Sequence, residues 1–382
     1  MSRSNFGHIQ RVSKGKYRIY WDGPPKPDGG RNQRSRTVNG TRDDAEVELA
    51  RIRVGAKGAP RSATLRDYWL VSVEPTLCAL EPKTAHEYRR LWAREIEPRL
   101  GGVRVDALTQ TAAQAAIGAV GSPSVQRSAA ALLKKVCNMA MGDMLLDRNP
   151  VTRALRMKRA KPRGKTMVEA RDMPGYLASL SGTRYLGLAA LEVGGGLRHE
   201  EAVAIAGSDV SPFEDGGRLY AAVQVRRALV TVNGRKLLKD TKNGFSEREA
   251  VLGEPFASLA LGFAGGKDAA LLPGPRPEGS APNETWFANP ATVTRNWRSW
   301  CGAHDVPYVR FGDMRTVYST LHGEAGSPDS LVSLSMGHSD GTTRGRNYQR
   351  HTRRGMVLIA DCLTDYLMES APCYEMLRTM FA

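Results

Sequence analysis

A chain of 382 residues with 41% hydrophobic and 25% charged side chains is too long for one small domain and too apolar to be disordered. Fifty-five Lys and Arg against 39 acidic residues give a net charge of +16, which points to a polyanionic partner, nucleic acid before any other, and away from acidic or neutral scaffolds. No apolar run approaches a membrane span or a signal core, and five cysteines without a Cys-x-x-Cys pair support neither a zinc site nor a disulfide framework, so a cytoplasmic protein without metal or cofactor is expected.

From the N-terminus, Tyr17, Ile19 and Trp21 alternate with polar residues, a Gly/Pro-rich break follows over residues 23–30, and Arg31, Arg34 and Arg36 form a basic stretch. Two or three short strands are predicted there. Thr41 and Asp44 read as an acidic capping box opening a helix whose face is Ala45, Leu49 and Ile52. Residues 1–57 thus form a small sheet with one helix, too small to do much beyond binding or serving as a structural extension.

Residues 55–60 have linker composition, and residues 64–152 read as an all-helical block. In it Thr84 and Glu87 predict a capping box, Pro98 predicts a stop, and Ser124 opens a helix with Val125, Ala129, Leu132, Val136 and Met139 on one buried stripe. Lys83, Tyr88, Arg89 and Arg90 are candidates to face phosphate, the alternative being a solvated helix surface. Residues 153–165 carry seven basic side chains, among them Lys158, Arg159, Lys161 and Arg163. They read as an extended connector that either tracks a DNA backbone or is simply solvated. Residues 166–382 read as mostly helical with a small sheet, including strands near 218–225 and 228–232 and tight turns at Asn233-Gly234 and Asn243-Gly244. The second turn would put Lys242 at a hairpin tip.

Chemistry concentrates in five segments of this last block. Arg198 lies in Gly195-Gly196-Leu197-Arg198-His199-Glu200-Glu201, Lys242 in Asp240-Thr241-Lys242-Asn243-Gly244, and Arg315 in Gly312-Asp313-Met314-Arg315. His338 lies in Met336-Gly337-His338-Ser339 and Tyr348 in Asn347-Tyr348-Gln349. Cleaving a phosphodiester without a metal requires fixed cations on the phosphate oxygens, and the planar, always-charged guanidinium suits that task. A helix starting near Arg198 would aim N–H groups at an anion, with Glu201 one turn on to hold the guanidinium. A tyrosine needs neighbouring cations or a base to become a nucleophile, which the arginines around Tyr348 would supply.

In order and spacing these segments resemble the catalytic domain of the tyrosine recombinases, the phage-type integrases. The resemblance implies a multidomain, mainly α protein with small β-sheets: an N-terminal sheet-plus-helix domain for arm-type DNA (1–57), a helical core-binding domain (64–152), a basic linker (153–165) and an α+β catalytic domain with a C-terminal tail (166–382). It implies Arg198 and Arg315 as phosphate clamps, His338 as a donor to the scissile phosphate, Lys242 as general acid with Lys236 and Lys239 as rivals, and Tyr348 as nucleophile. It further implies a homotetramer on double-stranded DNA working through a Holliday junction, with a recombination directionality factor and a host DNA-bending protein as possible partners. Two features depart from the family pattern. Gly312 stands where a His is usual, and ten residues rather than about nine separate His338 from Tyr348. Losing one phosphate donor costs about 10²–10³ in rate, which His304 or Tyr308 would offset if either reached the site. The reading is therefore a site-specific recombinase that integrates or excises a mobile element. Its alternatives are an integrase-derived, non-catalytic DNA-binding regulator and a nicking enzyme like a type IB topoisomerase.

Overall fold

The alternation around Ile19 becomes the central strand of a three-stranded antiparallel sheet, β1 (Gly7–Ser13), β2 (Lys16–Asp22) and β3 (Gln33–Asn39). The computed structural model describes residues 7–23, 30–55, 63–152, 155–159, 164–240, 247–265, 269–275, 286–338 and 352–371. Two compact units, residues 1–162 and 163–382, divide the chain.

In the first unit Ile19, with Ile9, Tyr17, Trp21 and Val38, packs on Ala45, Leu49 and Ile52 of α1 (Arg42–Gly55). The cap predicted at its start is present: the Thr41 amide donates to Asp44 Oδ2 (2.7 Å) and the Asp44 amide donates to Thr41 Oγ1 (3.2 Å). Register decides which residues share the helix-facing side. Arg36 is opposite Ile19 and Arg34 opposite Trp21, so both arginines belong to that side. The open side carries His8, Tyr20 and Ser35 in one cross-strand row and Gln10, Arg18 and Thr37 in the next.

The helical block follows: α2 (Leu65–Tyr68), α3 (Pro82–Leu91), α4 (Glu97–Leu100), α5 (Gln110–Gly118) and α6 (Pro123–Gly142). Two π-helical turns, Trp69–Val73 and Trp92–Ile96, bring Trp69 and Trp92 into a stack at 4.4 Å. Three local expectations are corrected here. Thr84 is not a cap, because Pro82 starts the helix with φ already set and Glu81 at the cap position. Pro98 does not end the run; the π turn before it absorbs the missing donor, and Arg99 Nη1 donates instead to the carbonyls of Glu95 (2.7 Å) and Arg94 (3.4 Å). The last helix opens at Pro123 rather than at Ser124, and its predicted stripe holds, with Ala129, Leu132 and Val136 buried and Val125 and Met139 against them.

Of the basic connector, residues 155–159 are neither helix nor strand and are not loose. Gln114 exchanges two hydrogen bonds with the Arg156 backbone (2.7 and 2.8 Å), the Lys158 amide donates to buried Gln126 (2.7 Å), and Leu155 is buried. The side chains of Lys158 and Arg159 are exposed; Lys161 and Arg163 lie outside the described residues.

The second unit begins with α7 (Met173–Ser179) and α8 (Arg184–Ala189), which runs into a π turn, Ala190–Gly194, and then α9 (His199–Ala202). Strands β4 (Val210–Asp215), β5 (Arg218–Val225) and β8 (Arg248–Leu252) form one antiparallel sheet, and β6 (Arg227–Val232) and β7 (Arg235–Asp240) a separate ribbon. Helices α10 (Phe256–Phe263), α11 (Pro290–Ala303), α12 (Phe311–Glu324), α13 (Asp329–Ser335) and α14 (Arg353–Ser370) complete a core built around Trp297, Phe256 and Leu191. The predicted turn at Asn233-Gly234 is there, with φ of 53° and 75°. Lys242 and the Asn243-Gly244 turn expected beside it lie outside the described residues; β7 and β8, on either side, belong to different sheets. The helix after Arg198 is also shorter than its apolar sequence suggests, a single turn ending at Ala202. Among the described residues, no helix is long and apolar enough to cross a membrane.

Candidate catalytic centre

Two glycines in the left-handed region bring three distant segments together. Gly196 (φ 62°) faces the Tyr318 ring so closely that a Cβ would lie 2.8 Å from it, and its carbonyl accepts from Arg315 Nη1 (2.5 Å). Gly337 (φ 63°) turns the chain after α13, and its carbonyl accepts from Arg198 Nη2 (3.3 Å). Neither conformation suits a residue with a Cβ. Arg315 also donates to the Met336 carbonyl and to His338 Nε2 (2.9 Å). The segments holding Arg198, Arg315 and His338, far apart in sequence, are thus joined by the guanidiniums themselves.

Glu201 organises this cluster. Its carboxylate accepts from the Arg198 amide (2.8 Å) and Arg198 Nη1 (2.7 Å), as the sequence suggested, and also from Arg248 Nη2 (2.9 Å). Arg248, 5% exposed, is the participant that the sequence reading missed; its Nε donates to the Ser335 carbonyl (2.6 Å). Nothing local marks it, since it is the first residue of a strand and finds its partners 47 and 87 positions away. Tyr318, likewise unpredicted, is buried with its hydroxyl on Ser335 Oγ (2.5 Å).

Charge in the cluster does not balance. Among the described residues Arg198 and Arg248 pair with Glu201, while Arg315 bonds to the Gly196 and Met336 carbonyls and to His338. Burial opposes ionisation of Glu201, but Arg248 and the bonds from Arg198 hold it below the ordinary carboxylate range. Burial, then Arg198 and Arg248, pull Arg315 down to about 9. An anion set against this cluster would relieve the repulsion and raise Arg315 again. Burial, followed by Arg315, Arg198 and Arg248, also lowers the His338 imidazole. Because a guanidinium only donates, His338 Nε2 must accept, and the proton of the neutral ring resides on Nδ1. The Arg198 side chain is 37% exposed, while Arg315 is buried and held by the Gly196 and Met336 carbonyls. Fixed cations arranged in this way can take up an anion without rearranging.

The remaining candidates separate. Tyr348, like Lys242, lies outside the described residues. Of the rival lysines, Lys236 is committed elsewhere, donating to the Phe287 carbonyl (2.8 Å) and lying over the Trp286 ring. Gly312 is exposed in the first turn of α12, and a Cβ there would meet nothing within 4 Å. His304 stacks on Trp300 and its Nδ1 pairs with the Trp300 carbonyl (2.9 Å), while Tyr308 packs beside Trp297 under Arg298. Neither has a described contact with the arginine cluster. Among the described residues no group of His, Cys, Asp and Glu could hold a metal ion.

Comparison with known proteins bears on the fold. No family model matches the sequence, and no curated protein matches it. Solved structures do. The Tn1549 transposon integrase in complex with a circular intermediate DNA matches with a TM-score of 0.57 at 16% identity, over 78% of this chain and 99% of that one. A lambda integrase dimer bound to a COC′ core site matches at 0.52 and 16%, over 90% of this chain and 96% of that one. The fold is that of the integrases. A lambda integrase tetramer bound to a Holliday junction also matches, with a TM-score of 0.50 and 16% identity, over 90% of this chain and 98% of that one.

On the integrase fold, the basic residues predicted to touch DNA are in several states. Arg31 pairs with Asp22 (2.9 Å), Arg36 with Glu48, Arg89 with Glu74 (2.6 Å) and Arg90 with Glu87 (2.6 Å). Arg34 and Lys83 are exposed. The open face of the N-terminal sheet was not singled out from sequence. Tyr20 stacks on His8 at 4.7 Å and its hydroxyl donates to Gln10 (3.2 Å), beside Arg18, Ser35 and Thr37. Alternation with the buried Ile19 row was the signal that could have found it.

Proposed function

We propose that this chain is a site-specific DNA strand transferase of the phage-integrase kind. The observation that carries the reading is the convergence of Arg198, Arg315 and His338, with Arg248 behind Glu201, into one cationic cradle on an integrase fold. In the proposed reaction Arg198 and Arg315 bind the non-bridging oxygens of the scissile phosphate and His338 Nδ1–H donates to it. Tyr348 loses its phenolic proton to solvent as Oη attacks phosphorus, so the Oη–P bond to the 3′ phosphate forms while the P–O5′ bond breaks. Lys242 gives its proton to the departing 5′ oxygen. A second 5′ hydroxyl then attacks the phosphotyrosyl bond and releases the tyrosine, so the energy of the first bond is conserved and no ATP is consumed.

The domain roles follow the same reading. Residues 64–152 would grip core-type DNA with Lys83, Arg89 and Arg90; Glu74 and Glu87, the partners of the two arginines, are exposed enough to be exchanged for phosphate. Residues 153–165, with Lys158, Arg159, Lys161 and Arg163, would follow the backbone between domains. Residues 1–57 would bind arm-type DNA through the open face carrying His8, Gln10, Arg18, Tyr20, Ser35 and Thr37, a set of donors and acceptors that a sheet can present to base edges. Arg31, Arg34 and Arg36 would then serve phosphates at its rim. Working as a tetramer through a Holliday junction, with a directionality factor and a host bending protein, completes the proposal.

A duplex nicked near the cleavage site, built from DNA flanking the gene, tests it. The full chain should trap a covalent adduct that Tyr348→Phe cannot form, and intact sites should yield junctions and exchanged strands. An adduct without exchange would favour a nicking enzyme. Binding without an adduct would favour a regulator, and Gly312→His, which has room for the imidazole, would then be expected to restore cleavage.

A further inference from the structure

Beside the arginine cluster lies a buried acid–base pair that the proposed reaction does not use. Glu192 sits in the π turn Ala190–Gly194 and is fully buried, with Oε1 2.9 Å from His199 Nδ1. His199 follows Arg198 directly and is the first residue of its one-turn helix. The imidazole lies flat on Phe311, centroids 4.0 Å apart and planes 9° from parallel, and Phe311 is the first residue of the helix that carries Arg315. Its Nε2 is 3.3 Å from Thr294 Oγ1 and 3.4 Å from the Pro290 carbonyl, at the start of α11. One ring of α9 therefore touches three other elements: the π turn, α11 and α12.

The protonation follows from the partners. Thr294 Oγ1 donates to the Pro290 carbonyl (2.9 Å), so it and that carbonyl both offer lone pairs to Nε2, which must carry a hydrogen. The Nδ1 to Oε1 contact then holds one further proton, shared between imidazole and carboxyl. Glu192 Oε2 and Tyr176 Oη make no hydrogen bond among the described residues, so the carboxyl depends on His199. A four-residue helix has almost no stability of its own, and its orientation must come from such contacts.

We infer that Glu192 and His199 are positioning residues that lock the start of the Arg198 helix to the start of the Arg315 helix and so set the separation of the two guanidiniums. With Gly312 contributing no side chain, that separation carries more of the phosphate recognition than it otherwise would. The inference rests on the strand-transfer reading for its catalytic consequence, but not for its structural one.

Two measurements on the full chain separate these. In hydrogen exchange on the free protein, His199→Phe, which keeps the stack and loses the hydrogen bonds, and Glu192→Leu should both accelerate exchange at residues 198–202 and 311–317 together, at least tenfold, with exchange in the first unit unchanged. In single-turnover capture on the nicked duplex the same variants should cleave on the order of 10²-fold more slowly, with DNA affinity within about twofold of the parent. Glu192→Gln, whose amide can donate to Nδ1 as the protonated carboxyl does, should recover most of the rate. Exchange that accelerates at only one of the two segments, or uniformly over the whole chain, overturns the inference, as does a rate that simply follows the folded fraction. If the unmodified chain forms no adduct, the strand-transfer reading fails while the exchange pattern still decides the positioning claim.

Discussion

Arginines are used in opposite ways in the two units. In the first, Arg31, Arg36, Arg89 and Arg90 each pair with a carboxylate at the surface, in contacts that exchange readily with water or phosphate. In the second, Arg198, Arg248 and Arg315 converge on buried Glu201 and on backbone carbonyls, where they cannot rearrange cheaply. The first arrangement suits a surface that must adapt to a DNA backbone. The second suits a site where charge must already be in position when the reaction begins.

The largest effect that would break this contrast is expected at Arg315. Arg315→Ala should reduce covalent capture on nicked DNA by about 10³-fold or more while leaving affinity for duplex DNA within severalfold, since one preorganised donor is worth about 10²–10³ and the proposed phosphate contact of Arg315 would be lost together with its observed hold on His338. Retained cleavage would mean the cradle is structural only. Next comes Glu201→Gln, which leaves Arg248 buried beside a neutral amide. Chemical denaturation should show a loss of about 3–5 kcal/mol, a size no single arginine pair of the first unit should approach.

A pH test sharpens the same comparison. His322, buried in α12 with Nδ1 on Ser327 Oγ (2.9 Å), is pulled by burial down to about 4. Between about 4 and the ordinary imidazole value of about 6.5 the folded state therefore binds fewer protons than the unfolded state. Stability from this residue is complete above about 6.5 and is lost as pH falls toward 4. His322→Gln should flatten that slope in urea midpoints measured at pH 7 and pH 5. The smallest effects belong to the first unit. Arg90→Ala or Arg36→Ala should shift stability by no more than about 0.5 kcal/mol, yet each should reduce the salt dependence of DNA binding by about one phosphate contact. An unchanged salt slope would remove that residue from the DNA surface.

Much of this was legible because it is local. The Thr41–Asp44 box, the stripe on α6, the Asn233-Gly234 turn and the Arg198–Glu201 pair depend on residues a few positions apart, and each has the expected geometry. Local reasoning failed where a neighbouring residue or an irregular turn overrode the expected signal. Thr84 lost the cap to Pro82, and Pro98 was accommodated by a π turn that no propensity announces. The helix expected after Arg198 stopped at Ala202 after a single turn.

Residue order and chemical type alone pointed to Arg198, Arg315 and His338 as one cluster, which the contacts among their segments bear out, because charge, hydrogen-bonding capacity and spacing are properties of the chain itself. Only the tertiary structure decided that Arg248 joins them, that Arg34 and Arg36 share the helix-facing side of their sheet, and that His199 lies between two helix starts. Those outcomes depend on strand register, burial and contacts between residues that can be more than a hundred positions apart, and none of these is encoded at any single position.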